Sequence, residues 1–102
     1  MADRLELQKE LVELLGSKQV YYDPPETLKL KYPCFLYQSD IPYDVKANNH
    51  SYMYVKRYSV TYIDSNPDND MTARLLNHFG HISAGNPYTS DSLHHYPFDI
   101  YY

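Results

Sequence analysis

The chain of 102 residues has no tryptophan, one cysteine and three glycines. Each scarcity removes a class of function. A lone Cys34 cannot close an intrachain disulfide, and it rules out a Cys-x-x-Cys metal knuckle or redox pair. So few glycines leave no Gly-rich loop to cradle a phosphate. No apolar run approaches the roughly 20 residues of a membrane helix, and the opening MADRLELQKELVELLG is charged throughout, unlike a secretory leader. A formal charge of −4 argues against a duplex-binding module, which meets phosphates with a basic face. These absences predict a soluble protein made in a reducing cytoplasm, with no membrane partner, no cofactor and no metal.

Tyrosine is abundant, with 13 residues against 3 Phe. Every such ring needs an apolar bed for its face and a partner or water for its hydroxyl. That dual demand suits protein interfaces, where Tyr is enriched.

The length is that of one domain, 1–102, with one modest core. Leu7, Leu11 and Leu14, with Leu5, Val12 and Leu15, recur at helical spacing, so the chain is expected to open on an amphipathic helix. Asp3 and Glu6 are placed as a capping box, and Gly16 as the left-handed stop. The proline-rich VYYDPPETLKLKYP reads as a short strand or extended arm followed by a loop. CFLYQSD contains a short buried strand, Cys34 to Tyr37, and IPYDVKANNH is a polar connection.

SYMYVKRYSVTYID, Ser51 to Asp64, is the longest strand candidate, its Tyr52, Tyr54, Tyr58, Val60 and Tyr62 alternating with Met53, Val55, Arg57, Ser59, Thr61 and Ile63. SNPDNDMTARLLNHFG follows as a second helix, capped by Asn66 or Ser65, with Pro67 in its first turn and Gly80 as its stop. YPFDIYY closes the chain as a strand after a turn-rich stretch. The fold class predicted is α+β, two helices packed on one face of a mostly antiparallel sheet, in the order α-β-β-α-β. The core expected is Leu7, Leu11, Leu14, Leu15, Phe35, Val60, Ile63, Leu75, Leu76, Phe79, Phe98 and Ile100.

No catalytic constellation stands out. His78 and His81, or His94 and His95 with Asp91 and Asp99, invite a metal reading. Yet His78 suits the negative end of a helix dipole, and adjacent His94 and His95 point to opposite faces if extended. Cys34 sits in an apolar run, where a thiol behaves as a small hydrophobe. The acids fall at helix starts and turns, where capping accounts for them. Lys29, Lys31, Lys56 and Arg57 interleave with tyrosines as in single-strand stacking platforms. A small single-stranded nucleic-acid-binding module is therefore the alternative from another class, although Lys56 and Arg57 alternate along a strand and cannot line one groove.

Taken together, the leading helix, KYPCFLYQSD, the Tyr-rich KRYSVTYIDSNPD running into a second helix, and NPYTSDSLHHYPFDIYY resemble the tail terminator, or tail completion, proteins of long-tailed phages and prophages. The resemblance spans nearly the whole chain and rests on element order and on phrases such as Tyr32-Pro33 and Arg57-Tyr58-Ser59-Val60-Thr61. It implies a non-enzymatic virion protein of the neck, assembled in the host cytoplasm as a homo-hexameric ring. Such a ring caps the tail tube protein, meets the head-closure or connector protein, and lets DNA pass without sequence-specific binding. Head-closure proteins and other neck or tail-tube components share these traits. The expected interface residues are Tyr43, Tyr52, Tyr54, Lys56, Arg57, Tyr58, Tyr101 and Tyr102.

Overall fold

A computed structural model describes residues 4–40 and 56–102. The Asp3 cap, the 41–50 connection and the first five residues of the expected long strand lie outside the described residues. The elements are α1 (Arg4–Leu15), β1 (Val20–Tyr22), β2 (Cys34–Asp40), β3 (Arg57–Asp64), α2 (Met71–His78), β4 (Ile82–Ala84), β5 (Tyr88–Ser90) and β6 (Leu93–Tyr101). The class is α+β, with two helices and a six-stranded mixed sheet among the described residues.

The sheet runs β1-β2-β3-β6-β4, with β5 also paired to β6. This corrects the predicted α-β-β-α-β order: three short strands join the sheet, and β1 pairs parallel to β2 while every other pairing is antiparallel. At the centre, β3 lies between β2 and β6, placing Phe35 opposite Tyr62, Tyr62 opposite Tyr96, and Val60 between Tyr37 and Phe98.

The two strands that the sequence reading missed, β4 and β5, form one edge. Ala84 stands opposite Phe98 and Tyr88 opposite His95, so four steps along the edge match three along β6. That is a one-residue β-bulge, which bends and twists its strand. It also explains how Pro97 sits inside a paired strand. The Pro97 carbonyl accepts the Gly85 N–H at 2.8 Å, and the N–H that proline lacks falls where the ladder is already broken. The hairpin closes through Asp91 and Ser92, with φ of 53° and 64°, the positive values that a two-residue turn of the I′ type requires.

The core gathers Leu7 and Leu11 of α1, Met71 and Leu75 of α2, and alternate strand residues Phe35, Tyr37, Tyr58, Val60, Tyr62, Phe98 and Ile100. Leu14 and Leu15 are half-buried against it. Ile63 is also buried, opposite the fully buried Cys34. Leu76, expected inside, is 45% exposed. An eight-residue helix buries a narrow stripe, and Met71 and Leu75 at i and i+4 fill it, while Leu76 lies about 100° further round.

Helix boundaries follow local polar chemistry. Gly16 adopts φ 79° and its N–H reaches the Val12 carbonyl at 2.9 Å, ending α1 as expected of a left-handed residue. α2 starts later than predicted because side chains of 64–69 capture backbone N–H groups first. Asp64 Oδ1 accepts from Asn66, Asn66 Oδ1 from Asp68, and Asn69 Oδ1 from Met71. Such Asx turns compete with helix formation, so the expected Asn66 or Ser65 cap gives way to Asp70, whose side chain makes no capping bond, while Asn69 just before it takes the Met71 N–H. At the other end, Phe79 turns extended (φ −98°, ψ 133°) and its own N–H bonds the Leu75 carbonyl, so α2 ends before Gly80.

Leu75 and Leu76 provide a direct comparison. Leu75→Ala is expected to cost about 2–5 kcal/mol in urea unfolding, and Leu76→Ala no more than about 0.5 kcal/mol. Equal losses would contradict the α2 orientation.

Candidate functional site

Tyr37 and Tyr62 carry hydroxyls into the core, and each finds an acceptor. Tyr62 donates to Asp64 Oδ2 at 2.6 Å, and Asp64, at 9% exposure, also takes the Asn66 N–H on its other oxygen. Tyr37 donates to Gln8 Oε1 at 2.7 Å, and Arg4 reaches the same phenol at 3.3 Å. Arg4 also lies 4.3 Å from the Tyr22 ring centroid, and Tyr22 packs on Tyr37 at 5.0 Å. Burial, with the Asp64 carboxylate beside it, pushes the Tyr62 phenol well above its ordinary pKa, and burial raises Tyr37 while Arg4 opposes the shift.

At one end of the sheet, β2, β3 and β6 align Asp40, Arg57 and Tyr101 in register. One step beyond, Lys56 and Tyr102 exchange both backbone bonds, at 3.3 and 2.9 Å, which extends the ladder. Tyr102 is then held from below. Its hydroxyl donates to the Glu10 carboxylate, whose other oxygen lies 2.7 Å from His78 Nε2, and Phe79 meets the Tyr102 ring edge-on at 6.2 Å. One carboxylate on α1 thus ties α2 and the final residue of β6's ladder together.

Of the residues predicted at an interface, Lys56, Arg57, Tyr101 and Tyr102 come together at this end. Lys56 and Tyr101 are exposed, while Arg57 and Tyr102 are half-buried. Tyr58 is a correction: it is 3% exposed and packs 6.3 Å from Tyr37 inside the core. The even side of β3 is the helix side from its second residue onward, so a tyrosine there is a core residue. Tyr43, Tyr52 and Tyr54 lie outside the described residues.

The sheet face away from the core cluster carries Leu36, Gln38, Ser59, Thr61, Pro97 and Asp99. Two shallow clefts adjoin there, sharing Ser59 and Thr61. One runs to Asp23 and Pro24 beyond β1, the other to Gly85 between β4 and β5. Ser59 Oγ donates to Asp99 Oδ1 at 3.4 Å.

The histidines separate as an extended strand requires. His94 Nδ1 lies 3.2 Å from Thr89 Oγ1, whereas His95 stacks flat on the exposed Tyr88 ring at 4.7 Å. Sequence reasoning missed Tyr88, because Asp91-Ser92 between YTS and LHHY lacks the glycine of the usual two-residue hairpin signals. Among the described residues, no three His, Cys, Asp or Glu side chains converge as metal ligands, and no helix is long and apolar enough to cross a membrane. No family model, curated protein or solved structure matches this chain.

Cys34 is wholly buried, and desolvation pushes its thiol up to about 12. A disulfide reagent at pH 8 is therefore expected to label it at least about a hundredfold more slowly in the native protein than in urea, because the thiolate is the nucleophile. Labelling at similar rates would contradict its burial. Cys34 and Tyr62 are both raised by folding, so the stability they contribute is complete below about pH 9 and is lost as pH climbs towards 12. For the Tyr62 to Asp64 bond, Tyr62→Phe is expected to cost about 1–3 kcal/mol in urea unfolding, the range for a hydrogen bond to a buried charged group.

Proposed function

We propose that this chain is a structural, non-enzymatic subunit that works by docking: it assembles with copies of itself into a ring that closes the tail tube of a long-tailed phage and joins it to the head connector. The observation that carries this reading is the braced end of the sheet. There Lys56, Arg57 and Tyr101 stand together on a three-strand ladder whose last residue is tied to both helices through Glu10. A cation and a polar aromatic exposed on a rigid ladder suit protein contact: the aromatic presents a large contact area with few rotatable bonds, and it has a hydroxyl to satisfy at the rim.

The resemblance of the sequence to tail terminator proteins supplies the kind of assembly, a six-membered ring between tail tube and connector. The negative formal charge supports the same reading, because a ring that DNA must pass through gains from a lumen that does not hold phosphates.

Sedimentation velocity of the full chain, alone and with tail-tube protein, tests the proposal. The expected outcome is a ring-sized species in at least one of the two settings, with annular particles by negative-stain microscopy. A chain that stays monomeric in both settings overturns it.

A further inference from the structure

The two sides of the sheet differ in charge. The segment 18–33, which contains β1 and the loop to β2, holds Lys18, Lys29 and Lys31 against Asp23 and Glu26. All three lysines are exposed, as are Leu28 at 43% and Tyr32 at 42%. The backbone beneath them is held in place. Gln19 Nε2 donates to the carbonyls of Lys31 and Pro33, the Lys31 N–H reaches Tyr21 Oη at 3.4 Å, and the Leu28 N–H closes a turn on Pro25 at 3.0 Å.

On the far side, β4, β5 and β6 come from a stretch, 75–102, that contains no lysine or arginine and has Asp91 and Asp99 as its acids. Tyr88 is 55% exposed there, and Ser83, Thr89 and Ser90 are exposed around it. Gly85 keeps the surface low beside Asp99: a Cβ at this position would sit 3.1 Å from Pro97 Cγ. The cleft over Gly85, Pro97 and Asp99 is floored by Ser59 and Thr61.

We infer that neighbouring copies join head to tail across the two sides of the sheet, the lysine-bearing loop beside β1 of one copy resting on the acidic β4–β5–β6 side of the next. This rests on the ring reading above and specifies which surfaces meet. The two surfaces flank opposite ends of one strand order, so they cannot satisfy each other within a copy. A pair of unlike, complementary surfaces repeated by a rotation that closes generates a ring. Lys29 and Lys31 supply charge, and Leu28 and Tyr32 supply apolar area for the low ground at Gly85 and the exposed Tyr88 ring. Continuous strand pairing is not the mode of contact, because the bulge and Pro87 interrupt the β4–β5 edge.

Charge reversal on each side separates the possibilities. One variant carries Lys29→Glu with Lys31→Glu and the other Asp99→Lys. Ser83→Lys, exposed and in register with Asp99, replaces the latter if thermal melting shows it misfolded. Each variant alone is expected to weaken self-association about tenfold or more, since like charges then face each other. Mixing the two restores it, because alternating copies place Glu against Lys at one junction and Lys against Asp at the next.

Assembly that is unchanged in both variants, or that the mixture fails to restore, overturns this inference and leaves the ring reading standing. Wild-type protein that does not assemble, with or without tail-tube protein, removes both. Association of the wild type is also expected to weaken between 0.05 and 0.5 M salt, on the order of the Debye screening of exposed charges.

Discussion

A buried phenol needs an acceptor, and in a core where tyrosine replaces much of the usual phenylalanine that need governs how everything else is placed. Tyr37 is tolerated because Gln8 on α1 lies above it, and Tyr62 because Asp64 is carried on the same strand face two residues on. Asp64 in turn is partnered by the Asn66 N–H, which commits 64–69 to turns and delays the start of α2. The rings themselves pack at centroid distances of 5.2 Å between Phe35 and Tyr62 and 6.1 Å between Tyr62 and Tyr96, so one aromatic layer runs across three strands. Helix position, helix length and sheet register are thereby linked through a few hydroxyls.

The parts of this fold that are legible in the sequence are those where a hydropathy period persists. The α1 stripe, the Gly16 stop and the alternation through Val60 and Tyr62 are of that kind. β4 and β5 are three residues each, with side chains that are mostly exposed, so they carry no pattern that distinguishes them from turn. Their existence depends on β6 offering a partner edge, which is a tertiary fact. The parallel β1 was half legible: VYYDPP reads as a short strand or extended arm, and its pairing with β2 decides for the strand.

The candidate surface was legible only in part, and Tyr58 explains why. Its composition is that of an interface residue, but alternation puts it on the helix side, and parity outranks composition once a helix covers that face. Tyr101 and Lys56 are exposed, and both fall where the ladder runs out. The opposition of charge between the two sides of the sheet could not be seen from the chain alone, since it requires knowing that β6, last in sequence, lies beside β3 and leaves β1 at the far edge.

The bulge opposite Pro97 has a further consequence, for what this edge offers an approaching strand. A straight, unbroken edge strand offers each arriving copy the same row of hydrogen bonds that it consumed, and such addition has no natural end. Here the row is out of step by one residue halfway along, so an incoming strand that matches β4 misses β5. In the proposed ring, side-chain surfaces rather than strand pairing set the angle between copies, and such contacts form a ring where that rotation closes and a filament where it does not. A single inserted residue thus works against endless edge-to-edge pairing.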